Sequence, residues 1–149
     1  MSARDDIISK MKTVLEGITI AGGYQTDIGT VYDRPMNSDL LDRGVDFPCI
    51  DMTMGQESVT YYLQNTADFT FPILLRLYVL DDGSSPTNKR TQINNLHEDV
   101  YKVLYQDPYL DGKAISVIAQ DADPPRIWDA SGPIGIEDIT VSVKYRRDL

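Results

Sequence analysis

The run from Phe69 to Leu80, FTFPILLRLYVL, places Phe69, Phe71, Ile73, Leu75, Leu77 and Val79 at every second position. A period of two turns that whole row to one side of an extended strand. The intervening row, Thr70, Pro72, Leu74, Arg76, Tyr78 and Leu80, is only partly polar. A strand apolar on both sides belongs in the middle of a sheet, or has one face covered by another subunit. Pro72 removes a backbone donor, which predicts a bulge or an edge at that point. A chain carrying this strand must build a sheet and supply an apolar layer to cover it.

Two segments can supply the layer. Ser2 and Asp5 fit a capping box, with Asp5 and Asp6 at the positive end of a helix. Ile7, Ile8, Met11, Leu15 and Ile18 then recur at helical spacing, until Gly17 weakens the last turn and Gly22–Gly23 ends the pattern. Ser85-Pro86 reads as the N-cap and first position of a second helix, whose apolar face is Ile93, Leu96, Val100, Val103 and Leu104. Asp107-Pro108 stops it.

Further strands are predicted over Thr26–Tyr32, with Ile28 and Val31 inward, and over Phe47–Met54, with Pro48 at its start or on an edge. Others are Ser58–Leu63, followed by a turn at Asn65–Asp68, and Lys113–Ala119. The last segment alternates Ile139, Val141, Val143 and Tyr145 with Thr140, Ser142 and Lys144. Asp33–Asp46 shows little periodicity and reads as a long irregular loop, ordered by a partner or functional in itself. The order predicts an α+β fold: a single domain over residues 1–149, with a mainly antiparallel sheet packed by two main α-helices.

Composition excludes more functions than it suggests. A chain of 149 residues is large enough for one continuous core. It holds no apolar run near the length of a membrane span, and its start lacks a secretory pattern, so a soluble, non-secreted protein is expected. The formal net charge of −9 argues against a protein that reads DNA or RNA, which needs a basic footprint. It suits a wall past which DNA slides without sticking. Much of the acidity is Asp in loop segments, where the short side chain makes turn hydrogen bonds.

No catalytic motif emerges. Cys49 is the only cysteine and reads as a buried small hydrophobe. His97 is the only histidine; the second ligand of an HExxH zinc motif would fall on Tyr101, so His97 reads as a solvent-facing helical residue. Asp121-Ala-Asp123 invites a metal, yet the calcium-loop pattern fails at Arg126 and Gly132, and turn chemistry is the simpler reading. The glycines at 22, 23 and 29 match neither phosphate-binding pattern, and no GxSxG elbow is present. No cofactor, metal site or catalytic set is therefore expected.

Nine tyrosines stand beside three phenylalanines and one tryptophan. Tyrosine joins a large apolar body to a polar tip, which suits protein-binding surfaces. Tyr61, Tyr62 and Trp128 lie in segments without a clear amphipathic role and are the candidate interface residues, together with Asp39 and Asp42 of the long loop.

Three segments together resemble the tail-terminator family of long-tailed phages. They are the amphipathic first helix running into GGYQTDIG at 22–29, the strand start FPCIDM at 47–52, and the closing strand ITVSVKYRR at 139–147. The resemblance implies a non-enzymatic virion protein at the head–tail junction, assembled in the host cytoplasm. It would form a homo-hexameric ring that caps the tail tube, stops its polymerisation and joins it to the neck. The implied partners are other copies of the chain, the tube protein, a neck or head-completion protein and, in a contractile tail, the sheath; genomic DNA passes through the lumen and no membrane is involved. Neck and tail-completion proteins share this build and are the alternative. A small metal-dependent hydrolase using Asp121 and Asp123 is the alternative of a different class.

Overall fold

The computed structural model describes residues 2–36, 46–81, 83, 88–122, 126–127 and 134–148. Helix α1 (Ala3–Glu16) opens on the predicted capping box: Ser2 accepts from the Asp5 N–H, and the Asp5 carboxylate reaches back to the Ser2 N–H. It stops at Gly17, one turn before Gly22–Gly23, because the Gly17 and Ile18 N–H groups turn back to the Val14 and Leu15 carbonyls. Ile18 is nonetheless buried with Ile7, Met11 and Leu15.

The strands follow as β1 (Thr30–Tyr32), β2 (Cys49–Met54), β3 (Ser58–Leu63) and β4 (Thr66–Leu80). Helix α2 (Lys89–Gln106), β5 (Ser116–Ala122), β6 (Arg126–Ile127) and β7 (Ile134–Asp148) complete the chain. One mixed sheet runs β1-β2-β4-β7-β5, with β3 also on β4 and β6 also on β7. Among the described residues, only β1 and β2 pair in parallel. The fold is α+β, a single domain of two helices packed on a mostly antiparallel sheet.

Strand β4 is central. It pairs along its whole length with β7, while β2 takes the upper half of its other side and β3 the lower half. Both of its edges are therefore paired; its odd-numbered face lies under the helices, while Thr70, Pro72, Leu74, Arg76 and Leu80 on the other face stay half-buried. Pro72 sits where β2 ends and β3 has not begun, so its missing donor deprives no neighbour. The Pro72 carbonyl, on that same side, accepts from the Gly55 N–H at 2.8 Å. Neither a bulge nor a sheet edge is needed: the ladder to β7 runs through Pro72↔Ser142 without a shift.

Beneath the helices, Phe71, Ile73, Leu75, Leu77 and Val79 of β4 meet Ile139, Val141 and Val143 of β7 and the apolar faces of both helices. Each such side chain contributes roughly 1.5–3 kcal/mol of burial. Helix α2 begins at Lys89 with Asn88 as its N-cap, not at Ser85-Pro86, which lies outside the described residues. The predicted strand at Thr26 begins at Thr30, the turn after β3 is tighter than expected, and β5 starts at Ser116.

Candidate functional site: a tied inner network and two open edges

The segment after α1 is strapped onto α2. Asp99, buried in the helix, accepts from the Gln25 backbone N–H with both carboxylate oxygens, at 3.0 and 3.1 Å. The Gln25 side chain donates to Glu98, and Lys102 donates to the Gly23 carbonyl while lying 5.0 Å over the Tyr24 ring. The Tyr24 hydroxyl reaches Gln106 at 2.7 Å, and Asp27 caps the Ile20 N–H. The GGYQTDIG segment is thus a brace: Gly23, Tyr24, Gln25 and Asp27 are occupied in holding the connection in place. A cavity of about 350 Å³, lined by polar and apolar groups alike, opens between this brace, the Phe47–Pro48 turn and the start of α2.

A second network lies on the opposite face of the sheet. Register places Asp51, Arg76 and Asp138 in one row across β2, β4 and β7. Arg76 grips Asp138 through two bonds of 2.7 and 3.2 Å, which hold its guanidinium further above its ordinary value. Asp51 accepts from the Tyr78 hydroxyl at 2.8 Å and the Met36 N–H at 2.9 Å. Burial pushes the Asp51 carboxyl up, against the lowering effect of those bonds. Burial, and the Asp51 charge behind it, also push the Tyr78 hydroxyl up. The row anchors the chain that follows β1 over a small second core of Cys49, Tyr78, Ile134 and Ile136.

Cys49 is fully buried there, and burial pushes its thiol up to about 12. The folded protein is therefore expected to be inert to a disulfide reagent at pH 8 and to react fully once unfolded in guanidinium. Rapid reaction of the native chain would show that this second core opens.

His97 is not solvent-facing. It is half-buried, its Nδ1 contacts the buried carboxylate of Glu137 on β7, and its ring lies 4.4 Å from that of Tyr101. A polar group buried beneath the helix needs a hydrogen-bond partner, and the histidine supplies one. Among the described residues, no group of three or more His, Cys, Asp or Glu side chains is placed to hold a metal ion, and no helix is long and apolar enough to cross a membrane. Asp123, Trp128, Asp39 and Asp42 lie outside the described residues, as do the side chains of Tyr62 and Asp121. The backbone of Asp121 lies in β5, past a register shift after Ala119.

Tyr61, by contrast, is placed clearly. It stands on β3, 74% exposed, with Val59 two residues earlier also exposed on the same side. Ser58 to Tyr61 is exposed throughout, so β3 leaves the body of the sheet as an outer strand beside the start of β4 and the end of β7. At the other edge, β5 and the second half of α2 border an apolar groove of about 640 Å³. Tyr101, Leu104 and Tyr105 form its helical wall, and Val117, Ile118 and Ala119 its strand wall. Ile118 is 57% and Tyr105 85% exposed. These groove residues were not among the sequence candidates. Their signal was Val117-Ile118, apolar on successive positions of a strand, the same two-faced pattern that marks β4.

Neither family models nor curated proteins give a match to this chain.

Proposed function

We propose that this chain is a structural virion subunit, a tail terminator that forms a ring on the head-proximal end of the tail tube. The ring stops tube growth, joins the tube to the neck and lets DNA pass. The single observation that carries this reading is the pair of open sheet edges, β3 with Val59 and Tyr61, and β5 with its groove. Exposed strand edges are templates for pairing with another chain, and proteins that stay single blunt them with charges or proline. Here β3, Ser58–Leu63, carries neither a charged residue nor a proline, and β5 carries neither before its register shift, past which Asp121 follows. An overall charge of −9 leaves the lumen wall unsticky towards DNA.

Immunogold electron microscopy of virions with an antibody to the chain tests the reading. Label confined to the head–tail junction is the expected result; label elsewhere on accessible particles, or none, removes it. In complementation, Tyr61→Asp is expected to weaken incorporation about tenfold or more, the scale of a lost interfacial tyrosine. Its thermal unfolding should stay within about 0.5 kcal/mol of the parent, since the side chain touches solvent. Full incorporation of the variant would show that β3 faces no partner.

A further inference from the structure

The two open edges fit each other. Strands β3 and β7 are both antiparallel to β4, and β5 is antiparallel to β7, so β3 and β5 run in opposite directions. Copies set side by side with their sheets facing the same way therefore bring β5 of one against β3 of the next as an antiparallel pair, the form with perpendicular, well-aligned bonds. The pleat agrees as well. Val59 and Tyr61 are opposite Phe69 and Ala67, and so lie on the helix-covered face of the sheet. The groove beside β5 is on that face, between α2 and Val117 and Ala119. Thr60 and Ser58 share the other face with Ile118 and Ser116.

We propose that β3 of one copy of this chain pairs antiparallel with β5 of the next, seating Val59 and Tyr61 in the groove bordered by Tyr101, Leu104 and Tyr105. The proposal rests on the reading of the chain as a self-assembling subunit and names its seam. A second copy is favoured as occupant for two reasons. A net charge of −9 makes copies repel one another on average, whereas the edge segments from Ser58 to Leu63 and from Ser116 to Gln120 carry no charge. In addition, a two-fold pairing of β5 with β5 sets groove against groove with nothing to fill either, and β3 with β3 leaves both grooves open. Head-to-tail pairing matches a filler to a groove at every seam, and such heterologous contacts generate rings when the rotation closes.

The two strands sit at different heights. Thr60 is level with Arg146 of β7, and Ala119 with Val141, an offset of about five residues. Centre-to-centre pairing shifts each copy by about 16 Å along the strand across a width of about four strands, or 19 Å. The strands then cross the direction of growth obliquely, as they do in closed barrels.

The test is cross-linking of the purified chain with a short bifunctional maleimide, Cys49 being buried and unreactive. The double variant Thr60→Cys/Ile118→Cys is expected to give a ladder extending beyond dimer, and an equimolar mixture of the two single variants a dimer. Either single variant alone is expected to stay monomeric on the gel. Dimer from one single variant shows two-fold edge pairing and overturns the proposal. So does the absence of any ladder in the double variant. Hydrogen exchange on the unmodified chain guards against misfolded variants: amides of 58–61 and 116–119 should gain protection together as concentration rises. Protection at one edge alone, or at neither up to the solubility limit, overturns the proposal. Cross-linking failure with head–tail label on virions removes the seam but keeps the proposed function. A ladder with label elsewhere keeps the seam and removes the function.

Discussion

Replacing Arg76 with methionine is expected to cost about 2–3 kcal/mol of stability at pH 7 and to make the loss shrink as the solution is acidified. Removing one partner of a buried pair typically costs about 3–5 kcal/mol. The Arg76 side chain is about one-third exposed, which places the loss at or below the low end of that range. For a domain of this length that corresponds to roughly 5–10 °C in Tm. The pH dependence follows from Asp51. Its carboxyl is already raised above the ordinary value by burial, and Arg76 is one of the groups pulling it back down. Without the guanidinium it rises further. A carboxyl whose folded pKa lies above its unfolded value costs stability while ionised, and that cost disappears as pH falls through the folded pKa towards the unfolded one. The gap between parent and Arg76→Met should therefore be widest at neutral pH and narrow by about pH 4, near the unfolded carboxyl range. Arg76→Lys, which keeps the charge but not the two-pronged grip on Asp138, should fall between. Urea unfolding of all three at several pH values decides it. Parallel curves would mean that the row is held by packing rather than by charge.

This network shows where a sequence stops being legible. The elements themselves were readable because each carries a strong period: Ile7 to Ile18 for α1, Ile93 to Leu104 for α2, Phe69 to Val79 for β4 and Ile139 to Tyr145 for β7. All of those residues but Phe69, which is half-buried, are in the core. What a period cannot state is which strand lies beside which. Asp51, Arg76 and Asp138 are far apart in the chain and form a row only because register aligns them. His97 read as solvent-facing for the same reason, since Glu137 reaches it only through the packing of α2 on β7. Asp68 read as part of a turn, yet it is buried within β4, as Asp51 and Asp138 are within β2 and β7 and Asp99 within α2.

The candidate surface was half legible. Tyr61 stood out because it lay in a strand with no evident apolar partner, and it is exposed on β3. The groove on the other edge was hidden for a physical reason: Tyr101 and Tyr105, each one position after the buried Val100 and Leu104, widen the apolar side of α2 beyond the part that reaches the core. From sequence alone, a helix face that is apolar against its own sheet and one that is apolar against a neighbour look alike. The strand apolar on two sides raised the same question. β4 is central in the sheet, with its second face half-buried, and in β5, at the edge, Ile118 is left uncovered.

The glycines of the brace separate by what each prevents, and Gly29→Ala should be the costly change. A Cβ at Gly29 would come within 2.6 Å of the Asp46 carbonyl carbon and 2.8 Å of the Asp46 Cβ. The obstacle is mainly backbone, so no rotamer change relieves it. On one side the Ile28 N–H is tied to the Ile18 carbonyl at 2.9 Å; on the other the Gly29 N–H is tied to the Pro48 carbonyl at 2.7 Å. Immediately beyond, Thr30 pairs with Cys49 as β1 joins β2. The added methyl must push the two chains apart at the point where the parallel pairing of β1 with β2 begins. Overpacking a tight site costs about 1–3 kcal/mol, and a backbone obstacle places this change at the upper end. Gly23→Ala is the comparison. Gly23 has φ +96°, and a would-be Cβ meets only the Lys102 Nζ at 3.9 Å, so its cost is conformational strain of about 1–2 kcal/mol, without a clash. Hydrogen exchange distinguishes the two mechanisms. Gly29→Ala should speed exchange at Thr30–Tyr32 and Cys49–Asp51, because it loosens the seam between β1 and β2. Gly23→Ala should act on Gln25 and the end of α2, where the brace is fastened through Asp99 and Lys102. If Gly29→Ala unfolds no more easily than Gly23→Ala, the close approach of 46–48 to the brace is not what holds β1 on the sheet.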